Sequence, residues 1–396
     1  MPAQVVAPLP RRAFLGAALA PDVEAFSDEG VLVLSVVAGG MAASAGVQGG
    51  DRITGLGGHP MNSLRAMRFA LREAGRADST RLDVLRGAEQ LSCQIAVQPS
   101  PLEFAEGQEI FYEEVVRDDA RLRSIVAKPS AGMPRGVILM LQGIACESVD
   151  YGSQSEEPMA RLLAGWTDAG FVTIRVDKRG VGDSEGACCS TGDFETELAD
   201  HRAALDLLAS DPRWDGLDIY LFGHSIGGMV APILASERSV AGLMVYGTST
   251  KSWLDCVTAS TRRQLEMRAI PPAEVEKTID SLRARVAKDG LNGRGAAYHR
   301  QLDQLELAAY WEQIGRAKVL VLCGEYDWVL SRDEQLEIGS LVPGAQCIDL
   351  AGLDHMLGWH AKRADSLSAY GQGVFREEIL ERSLEWLGQC GLHSEA

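Results

Sequence analysis

From about residue 105 onward, short unbroken apolar runs alternate with longer stretches of helical periodicity. Two of these runs are residues 137–141 (Val-Ile-Leu-Met-Leu) and 319–322 (Val-Leu-Val-Leu). A strand that is apolar at every position is typical of a parallel sheet whose two faces are both covered by helices. The alternation of such strands with helices therefore predicts an α/β domain built on a doubly wound sheet.

The expected elements of this domain begin with a hairpin over residues 109–117 and 120–127, around Asp118 and Asp119. The predicted later strands are 136–141, 171–176, 218–222, 241–246, 318–323 and 346–350, and the predicted helices are 156–169, 193–210, 226–236, 332–341 and 373–388. Between strands 241–246 and 318–323 lie roughly 70 charged, helix-forming residues, which exceeds the usual length of a plain connection. This insertion predicts a helical cap over about 251–315.

The first hundred residues differ from the rest in charge. They hold nine Arg, no Lys and nine acidic residues, so the formal net charge of -17 arises entirely after residue 100. An acidic surface repels polyanions, so we expect neither nucleic acid nor an anionic membrane as a partner. The kinked segment Pro99-Ser100-Pro101 predicts a linker over 99–104, which separates a domain over 1–98 from a second domain over 105–396.

The first domain is expected to be small and rich in strands. A β-branched run follows Gly30, and residues 81–87 and 91–97 have the pattern of two further strands. Before these two strands, Leu64, Met67 and Leu71 recur at helical spacing after an N-cap candidate at Asn62 or Ser63. One main helix among strands is therefore predicted in fewer than 100 residues.

Two motifs of this domain resemble those of a PDZ domain of the bacterial protease-associated type. The segment Phe14-Leu15-Gly16-Ala17 is similar to the carboxylate-binding loop, and residues 45–53 (Ala-Gly-Val-Gln-Gly-Gly-Asp-Arg-Ile) are similar to the second signature. The resemblance implies that a peptide C-terminus, or a carrier protein, binds there. Backbone N–H groups in such a turn can capture a carboxylate while the peptide adds a strand to an exposed edge.

Four arginines of the predicted helix share one face, which is either a solvated surface or a preference for acidic peptides; they are Arg65, Arg68, Arg72 and Arg76.

Eight cysteines are spread along the chain without a C-x-x-C pair. This pattern argues against a zinc site and favours reduced thiols in the cytoplasm, and we expect no metal or other cofactor. No apolar run has the length of about 20 residues that a membrane span needs. Residues 11–20 resemble a twin-arginine signal, but the apolar stretch is short and Pro21 and Asp22 follow it. We prefer the peptide-binding loop for these residues.

The motif Gly-x-Ser-x-Gly occurs twice, at residues 182–186 and 223–227. This motif exposes a nucleophilic serine when a strand enters it and a helix leaves it. The first copy follows a run of charged and turn residues, so no strand feeds it. A predicted strand enters the second copy and an apolar helix with small residues leaves it, so Ser225 is the predicted nucleophile.

A serine nucleophile needs a histidine base and an acid that orients it. His355 lies in a loop immediately after the last predicted strand, whereas the other histidines lie in the first domain, in helices, in the cap or within the elbow. Asp327 follows strand 318–323 and fits the chain order Ser, Asp, His, with Glu325 as the nearer rival. Asp354 directly precedes His355, so its carboxylate cannot easily reach the imidazole of its own neighbour.

The N–H of Ile226, the residue after the nucleophile, is one expected oxyanion donor. The second should come from the loop after strand 136–141, where we choose Ile144, with Gly143 as the alternative.

These motifs together resemble the α/β-hydrolase superfamily over about residues 105–390, in particular its cap-bearing esterases, thioesterases and aminopeptidase-like members. The chain departs from many of them at Gln142, where they have His. The resemblance implies a serine hydrolase that acts on a small-molecule ester or thioester. A peptidase or amidase, a C–C bond hydrolase or cyclase on a polyketide-like chain, and a non-catalytic binding protein stay open as alternatives. The oligomeric state is not predicted.

Overall fold

The computed structural model describes residues 7–19, 26–27, 29–117, 119–152 and 156–391. The chain forms two compact units. The first comprises Met1–Glu103 together with the segment Gly180–Gly186, and the second comprises Phe104–Arg179 and Ala187–Ala396. Asp118 of the predicted hairpin, and Ala20, Pro21 and Asp22 of the signal-like segment, lie outside the described residues.

The first unit is rich in short strands with one long helix. Its strands are β1 (Ala17–Leu19), β2 (Phe26–Ser27), β3 (Gly30–Val36), β4 (Arg52–Leu56), β5 (His59–Pro60), β6 (Ser79–Arg86) and β7 (Glu89–Ala96), and its helices are α1 (Met41–Ser44) and α2 (Leu64–Ala74). The Ser63 side chain accepts a hydrogen bond from the N–H of Ala66 and caps α2. Of the two N-cap candidates, Ser63 is therefore the one used.

The strands of this unit pair antiparallel in the order β1, β3, β4, β6 and β7, with β2 on β3 and β5 on β4. In this order β1 is an edge strand. One face of α2 packs through Met67, Ala70 and Leu71 against a core that includes Val31, Ile53 and Leu82. Ala13 and Leu15, which belong to the signal-like segment, are buried in the same core.

The second unit contains eight strands and ten α-helices in its described residues. Its strands are β8 (Gln108–Arg117), β9 (Ala120–Pro129), β10 (Val137–Leu141), β11 (Val172–Val176), β12 (Ile219–His224), β13 (Gly242–Tyr246), β14 (Lys318–Gly324) and β15 (Gln346–Leu350). Its helices are α3 (Pro158–Asp168), α4 (Phe194–Ala209), α5 (Ile226–Glu237), α6 (Trp253–Met267), α7 (Pro272–Asp289), α8 (Ala296–Asp303), α9 (Leu307–Glu312), α10 (Arg332–Leu341), α11 (Arg363–Ser368) and α12 (Glu377–Gly391).

One sheet holds all these strands in the order β15, β14, β13, β12, β10, β11, β9 and β8. The strands from β10 to β15 are parallel, whereas β9 and β8 run antiparallel at one end. Because the carboxyl ends of the parallel strands meet at one edge, the loops that leave them are brought together there.

Both faces of this sheet are covered, as the apolar runs predict. In β10, Val137, Leu139 and Leu141 point into a core shared with α5, while Ile138 and Met140 point into a second core. The second core contains Trp166 of α3 and Trp386 of α12. Burial on both faces explains why these strands lack the polar alternation of half-exposed strands.

The predicted cap is helical. Four helices, α6 to α9, stand between β13 and β14. The helix α6 begins at Trp253, close to residue 251, where the predicted cap begins. It is capped by Ser252, whose side chain accepts from the N–H of Asp255.

The prediction that all cysteines are reduced is wrong. Cys146 and Cys189 form a disulfide, and the other six carry free thiols. The two residues are 43 positions apart, and such a spacing contains no information about whether two sulfur atoms meet in space.

Within the described ranges, no helix is both long enough and apolar enough to cross a membrane.

Candidate active site

Ser225 stands on a tight turn between β12 and α5. Its backbone has φ 55° and ψ -119°, a left-handed conformation that is unusual for a residue with a side chain. A Cβ atom on Gly227 would lie 1.8 Å from the carbonyl oxygen of Leu141, and one on Gly223 would lie 2.5 Å from that of Gly227. The two glycines are therefore required by close backbone packing, and Ser225 is held partly exposed at the sheet's carboxyl edge.

The other Gly-x-Ser-x-Gly copy has a different structure. Ser184 is fully buried, and its N–H donates to the carbonyl oxygen of Val181 within a turn. Only a short 3-10 helix, Cys189–Thr191, follows before α4. The copy lacks the strand and helix that expose Ser225.

Three side chains predicted from the sequence meet at this edge. His355 Nε2 lies 3.0 Å from Ser225 Oγ, and His355 Nδ1 lies 2.9 Å from Asp327 Oδ2. The other carboxylate oxygen of Asp327 accepts hydrogen bonds from the N–H groups of Val329 and Leu330. Because Asp327 is only 2% exposed, these bonds fix its orientation toward the imidazole.

The rival acids have other partners. Glu325 accepts from the N–H of Gly352 at 2.9 Å. Asp354 pairs with His360 at 2.8 Å and also accepts from the N–H groups of Met356 and Gly358. These bonds shape the loop around His355 without contact to its ring.

His224, which precedes Ser225 in the chain, contacts the backbone of the loop that carries His355. Its Nε2 lies 2.8 Å from the backbone carbonyl oxygen of His355, which an Nε2–H donor satisfies. Burial, together with the nearby His355, lowers the pKa of His224 to about 4. The sequence places His224 within the elbow but does not reveal this contact.

The loop that follows β10 passes close to the nucleophile. A Cβ atom on Gly143 would lie 3.3 Å from Ser225 Cβ. The preceding residue, Gln142, is buried, and its side-chain amide donates to the carbonyl oxygen of Val176 at 3.3 Å. Gln142 therefore anchors this loop to the neighbouring strand β11.

Two buried cations bind successive carbonyl oxygens of this loop. Lys178 Nζ donates to the carbonyl oxygen of Gly143 and, at 3.3 Å, to that of Ala145. Arg294 Nε donates to the carbonyl oxygen of Ile144 at 3.1 Å. Three consecutive carbonyl groups of residues 143–145 are thus held by charged donors.

Glu197 of α4 joins the two cations. It pairs with Lys178 at 3.1 Å and with Arg294, and the hydroxyl of Tyr298 donates to it at 3.2 Å. Burial lowers the pKa of Lys178 to about 8, against the opposing influence of Glu197. Burial alone would raise the pKa of Glu197, but Lys178 and Arg294 outweigh it and lower that pKa.

We call Lys178, Glu197 and Arg294 the ion cluster. Sequence reasoning missed it. The available signal was a lysine placed just after the end of a buried strand, in the segment Asp177-Lys-Arg-Gly.

The disulfide also ends on this loop. Cys146 is the third residue after Gly143, and its partner Cys189 lies in the 3-10 helix before α4. The carbonyl oxygen of Cys189 accepts from Arg294 Nη1 at 2.7 Å. The covalent bond and the ion cluster therefore join the same two segments of chain.

A cavity of about 560 Å³ opens above the serine. Ile144, Ile226 and Met229 line it beside Ser225 and His355, and α6 and α7 form its opposite wall. The lining residues of α6 recur at helical spacing, from Trp253, Cys256 and Val257 to Ser260, Thr261 and Gln264. The α6 side chains in the lining therefore change along the helix from an indole, a thiol and an aliphatic group to two hydroxyls and an amide.

In the first unit, the predicted peptide-binding loop Phe14-Leu15-Gly16-Ala17 leads directly into the edge strand β1. Gly16 has φ 66°, and a Cβ there would lie 2.6 Å from Gly40 Cα. A glycine is therefore needed for the backbone to turn at this point.

The described ranges contain no group of three His, Cys, Asp or Glu residues that could hold a metal ion.

Two curated proteins match part of the chain. Over 111 residues the chain is 32% identical to human monoglyceride lipase, which covers 28% of this chain and 33% of that protein. Over 120 residues it is 29% identical to caffeoylshikimate esterase of Arabidopsis thaliana, which covers 29% of this chain and 34% of that one. The matched region thus spans about a third of the length of these curated relatives.

Among solved structures, proline iminopeptidase of Mycobacterium smegmatis aligns with a TM-score of 0.49 and 15% identity over 71% of this chain and 99% of that one. Residues 14–97 match the PDZ domain family. Residues 132–357, more than half of the chain, match the family described as serine aminopeptidase, S33. The expected fold class is confirmed, and the chain belongs to the serine aminopeptidase S33 family of α/β hydrolases, with an N-terminal PDZ domain.

Proposed function

We propose that this hydrolase cleaves an ester or thioester through an acyl-enzyme formed on Ser225. The observation that carries the proposal is the continuous contact from Ser225 through His355 to Asp327, at the floor of an open cavity. A serine beside a base that is itself oriented by an acid has the arrangement of an activated nucleophile.

In the proposed reaction, His355 accepts and then returns each proton. Ser225 Oγ attacks the carbonyl carbon while Nε2 of His355 takes its proton, and Asp327 stabilises the imidazolium through Nδ1–H. The alcohol or thiol leaves with that proton. Water then attacks the acyl-enzyme, gives a proton to His355, and the acid departs as the proton returns to Ser225.

For the oxyanion donors we propose the N–H groups of Ile226 and Ile144. The carbonyl of Gly143 is bonded to Lys178, and in a trans peptide the following N–H points the opposite way. The N–H of Ile144 is therefore directed away from Lys178, and Ile144 lines the cavity beside Ser225. This supports Ile144 over Gly143.

The ester is favoured as substrate because both curated relatives bear the names of ester-cleaving enzymes. The test is kinetic, with a panel of 4-nitrophenyl acyl esters, acyl thioesters and peptide amides. We expect Ser225→Ala to lower ester or thioester kcat by at least about a thousandfold. Ser184→Ala in the other motif copy is the matched control for the serine. Unchanged ester turnover in Ser225→Ala would overturn the proposal.

The same triad can cleave amides, and the family's description as serine aminopeptidase favours this second candidate. Cleavage of the peptides, without turnover of esters, would select it. A C–C bond hydrolase or cyclase would be shown by product analysis with polyketide-like acyl chains. A non-catalytic binding protein would leave every member of the panel intact.

For the PDZ domain we propose binding of a peptide C-terminus or of a carrier protein with an exposed C-terminus. The loop ending at Ala17 and the edge strand β1 support this. In a fluorescence anisotropy assay with the full chain, peptides with a free C-terminus should bind more tightly than the same peptides with an amidated one. Equal binding would contradict capture of the carboxylate.

As compartment we propose the cytoplasm, which the six free thiols support. The disulfide is the exception, and disulfides in that compartment are commonly redox-responsive. Cell fractionation tests the location, and recovery of the protein outside the cytoplasm would contradict it.

A further inference from the structure

We propose that Arg285 of the cap selects substrates that carry a carboxylate, so that the preferred ester is anionic. The proposal rests on the ester hydrolysis proposed above. It starts from the charge of the cavity wall, which differs in sign from that of the molecule as a whole. The chain has a formal net charge of -17, yet no Asp or Glu is found among the described residues that line the cavity. Arg285 is the one Lys or Arg in that lining.

The helix that carries Arg285 presents it to the cavity by its periodicity. Thr278, Ser281, Leu282 and Arg285 all line the cavity, and their spacing of three, four and seven residues places them on one face of α7. Arg283 lies on another face, where it pairs with Asp280 at 3.9 Å. Arg285 has no ion pair within the described part of the chain, and its side chain is exposed.

The register of the cap helices shows which end of the cavity Arg285 occupies. A short connection joins α6 to α7, which makes them antiparallel neighbours. Arg262 of α6 pairs with Glu276 of α7, with 3.0 Å between Nη2 and Oε2. Trp253 lies nine residues before Arg262 in α6, and Arg285 lies nine residues after Glu276 in α7. Because the helices are antiparallel, Trp253 and Arg285 lie at the same height along the helix pair.

The chain leads from that level to the reacting atoms on both sides. Trp253 begins α6 six residues after Gly247, where a Cβ would lie 2.7 Å from the His355 ring. From the other side, Leu291 and Asn292 line the cavity, and Arg294 just after them binds the carbonyl oxygen of Ile144. Arg285 therefore belongs to the end of the cavity beside the oxyanion loop.

A guanidinium presents several N–H donors in a planar fork that matches a carboxylate. With no acid in the described lining to neutralise it, Arg285 is available to a ligand. Its exposure means that water screens the attraction, so a moderate effect that weakens with salt is expected. The carboxylate could belong to the acyl part or to the alcohol part of the ester, since both would lie near Ser225.

The experiment compares matched pairs of esters on the full chain. In one pair, a 4-nitrophenyl ester has an acyl chain ending in either a carboxylate or a methyl group; in the other, the alcohol part bears the carboxylate or lacks it. We expect wild type to prefer the anionic member of one pair. Arg285→Gln should reduce that preference, the ratio of the two kcat/KM values, by about tenfold, mainly through KM. Arg285→Glu should reverse it.

Arg283→Gln is the control, because it removes the same charge two residues away, outside the cavity lining. It should keep the wild-type preference and activity. Turnover of both esters with a ratio unaffected by Arg285→Gln, or a ratio lowered equally by Arg283→Gln, would overturn this inference and leave ester hydrolysis intact. Failure of wild type to cleave any ester would instead overturn the proposed function.

Discussion

The two walls of the cavity are built in different ways. The wall at the sheet edge consists of loops whose polar groups are bonded to buried charges, from Asp327 behind His355 to the ion cluster behind residues 143–145. The cap wall presents Ser260, Thr261, Thr278 and Ser281 on two helices whose ion pairs lie near the surface. From this difference we propose that the sheet edge fixes the reacting geometry, whereas the cap decides what is bound.

This comparison makes kinetic predictions, because changes at the sheet edge should lower kcat and changes in the cap should alter KM. The four predictions below concern the sheet edge and run from the largest expected effect to the smallest. The first two are effects on kcat, in contrast to the KM effect expected for Arg285 in the cap, and the last two are mainly effects on stability.

Asp327→Asn should have the largest effect. It removes the charge that orients His355 and stabilises its protonated form, and comparable changes lower kcat by about 10⁴-fold. Glu325→Gln is the matched control, because this acid lies two residues away and its side chain accepts from the N–H of Gly352 rather than contacting the His355 ring. Steady-state kinetics would contradict the assignment if Glu325→Gln lowered kcat as much as Asp327→Asn.

Lys178→Met should be next. The methionine keeps the buried volume but frees the carbonyl groups of Gly143 and Ala145, so the Ile144 N–H loses its fixed direction. We expect kcat to fall by about 100-fold, as for the loss of one oxyanion donor, with a much smaller change in KM. A pure loss of folded protein would leave the KM and the turnover per labelled active site unchanged, which separates positioning from instability.

Reduction of the Cys146–Cys189 bond should have a smaller effect on kcat, of about threefold, because the ion cluster still holds the loop. Its main effect should be on stability. Cross-linking residues 43 apart stabilises a fold by about 4 kcal/mol in the chain-entropy account. Thermal unfolding of Cys146→Ser measures the loss, and Cys188→Ser, which removes the adjacent free thiol, is the control.

The smallest effect concerns pH. His224 has a pKa of about 4 when folded and an ordinary value of 6.5 when unfolded. Below pH 6.5 the unfolded chain therefore binds a proton that the folded chain does not, and stability falls as the pH falls toward 4. From pH 6.5 to 5 the loss from this residue is about 2 kcal/mol. Denaturant unfolding of His224→Gln should show a shallower pH dependence, and an unchanged slope would contradict this origin.

Much of the sheet edge could be predicted from the sequence because its signals are local. The apolar runs indicate strands buried on both faces, and a strand, a glycine turn and an apolar helix around Ser225 identify the elbow without distant contacts. His355 and Asp327 follow from chain order once the strands are known.

The parts that were missed depend on pairs of residues far apart in the chain. The sequence does not mark Cys189 as the partner of Cys146, nor Glu197 as the partner of two cations. Lysine is also ordinarily a surface residue. Only the fold brings α4, the loop after β10 and residue 294 together. The boundaries of the linker 99–104 and of the cap 251–315 stay predictions.

The central claim is that the sheet edge forms a covalent acyl-enzyme on Ser225. The most direct measurement is rapid mixing with a 4-nitrophenyl ester, followed by acid quench and intact-mass analysis. The account predicts a burst of nitrophenol equal to the enzyme, a mass increase of one acyl group located on the peptide that contains Ser225, and neither signal in Ser225→Ala. Multiple turnovers in Ser225→Ala, or an acyl group on another residue, would contradict it.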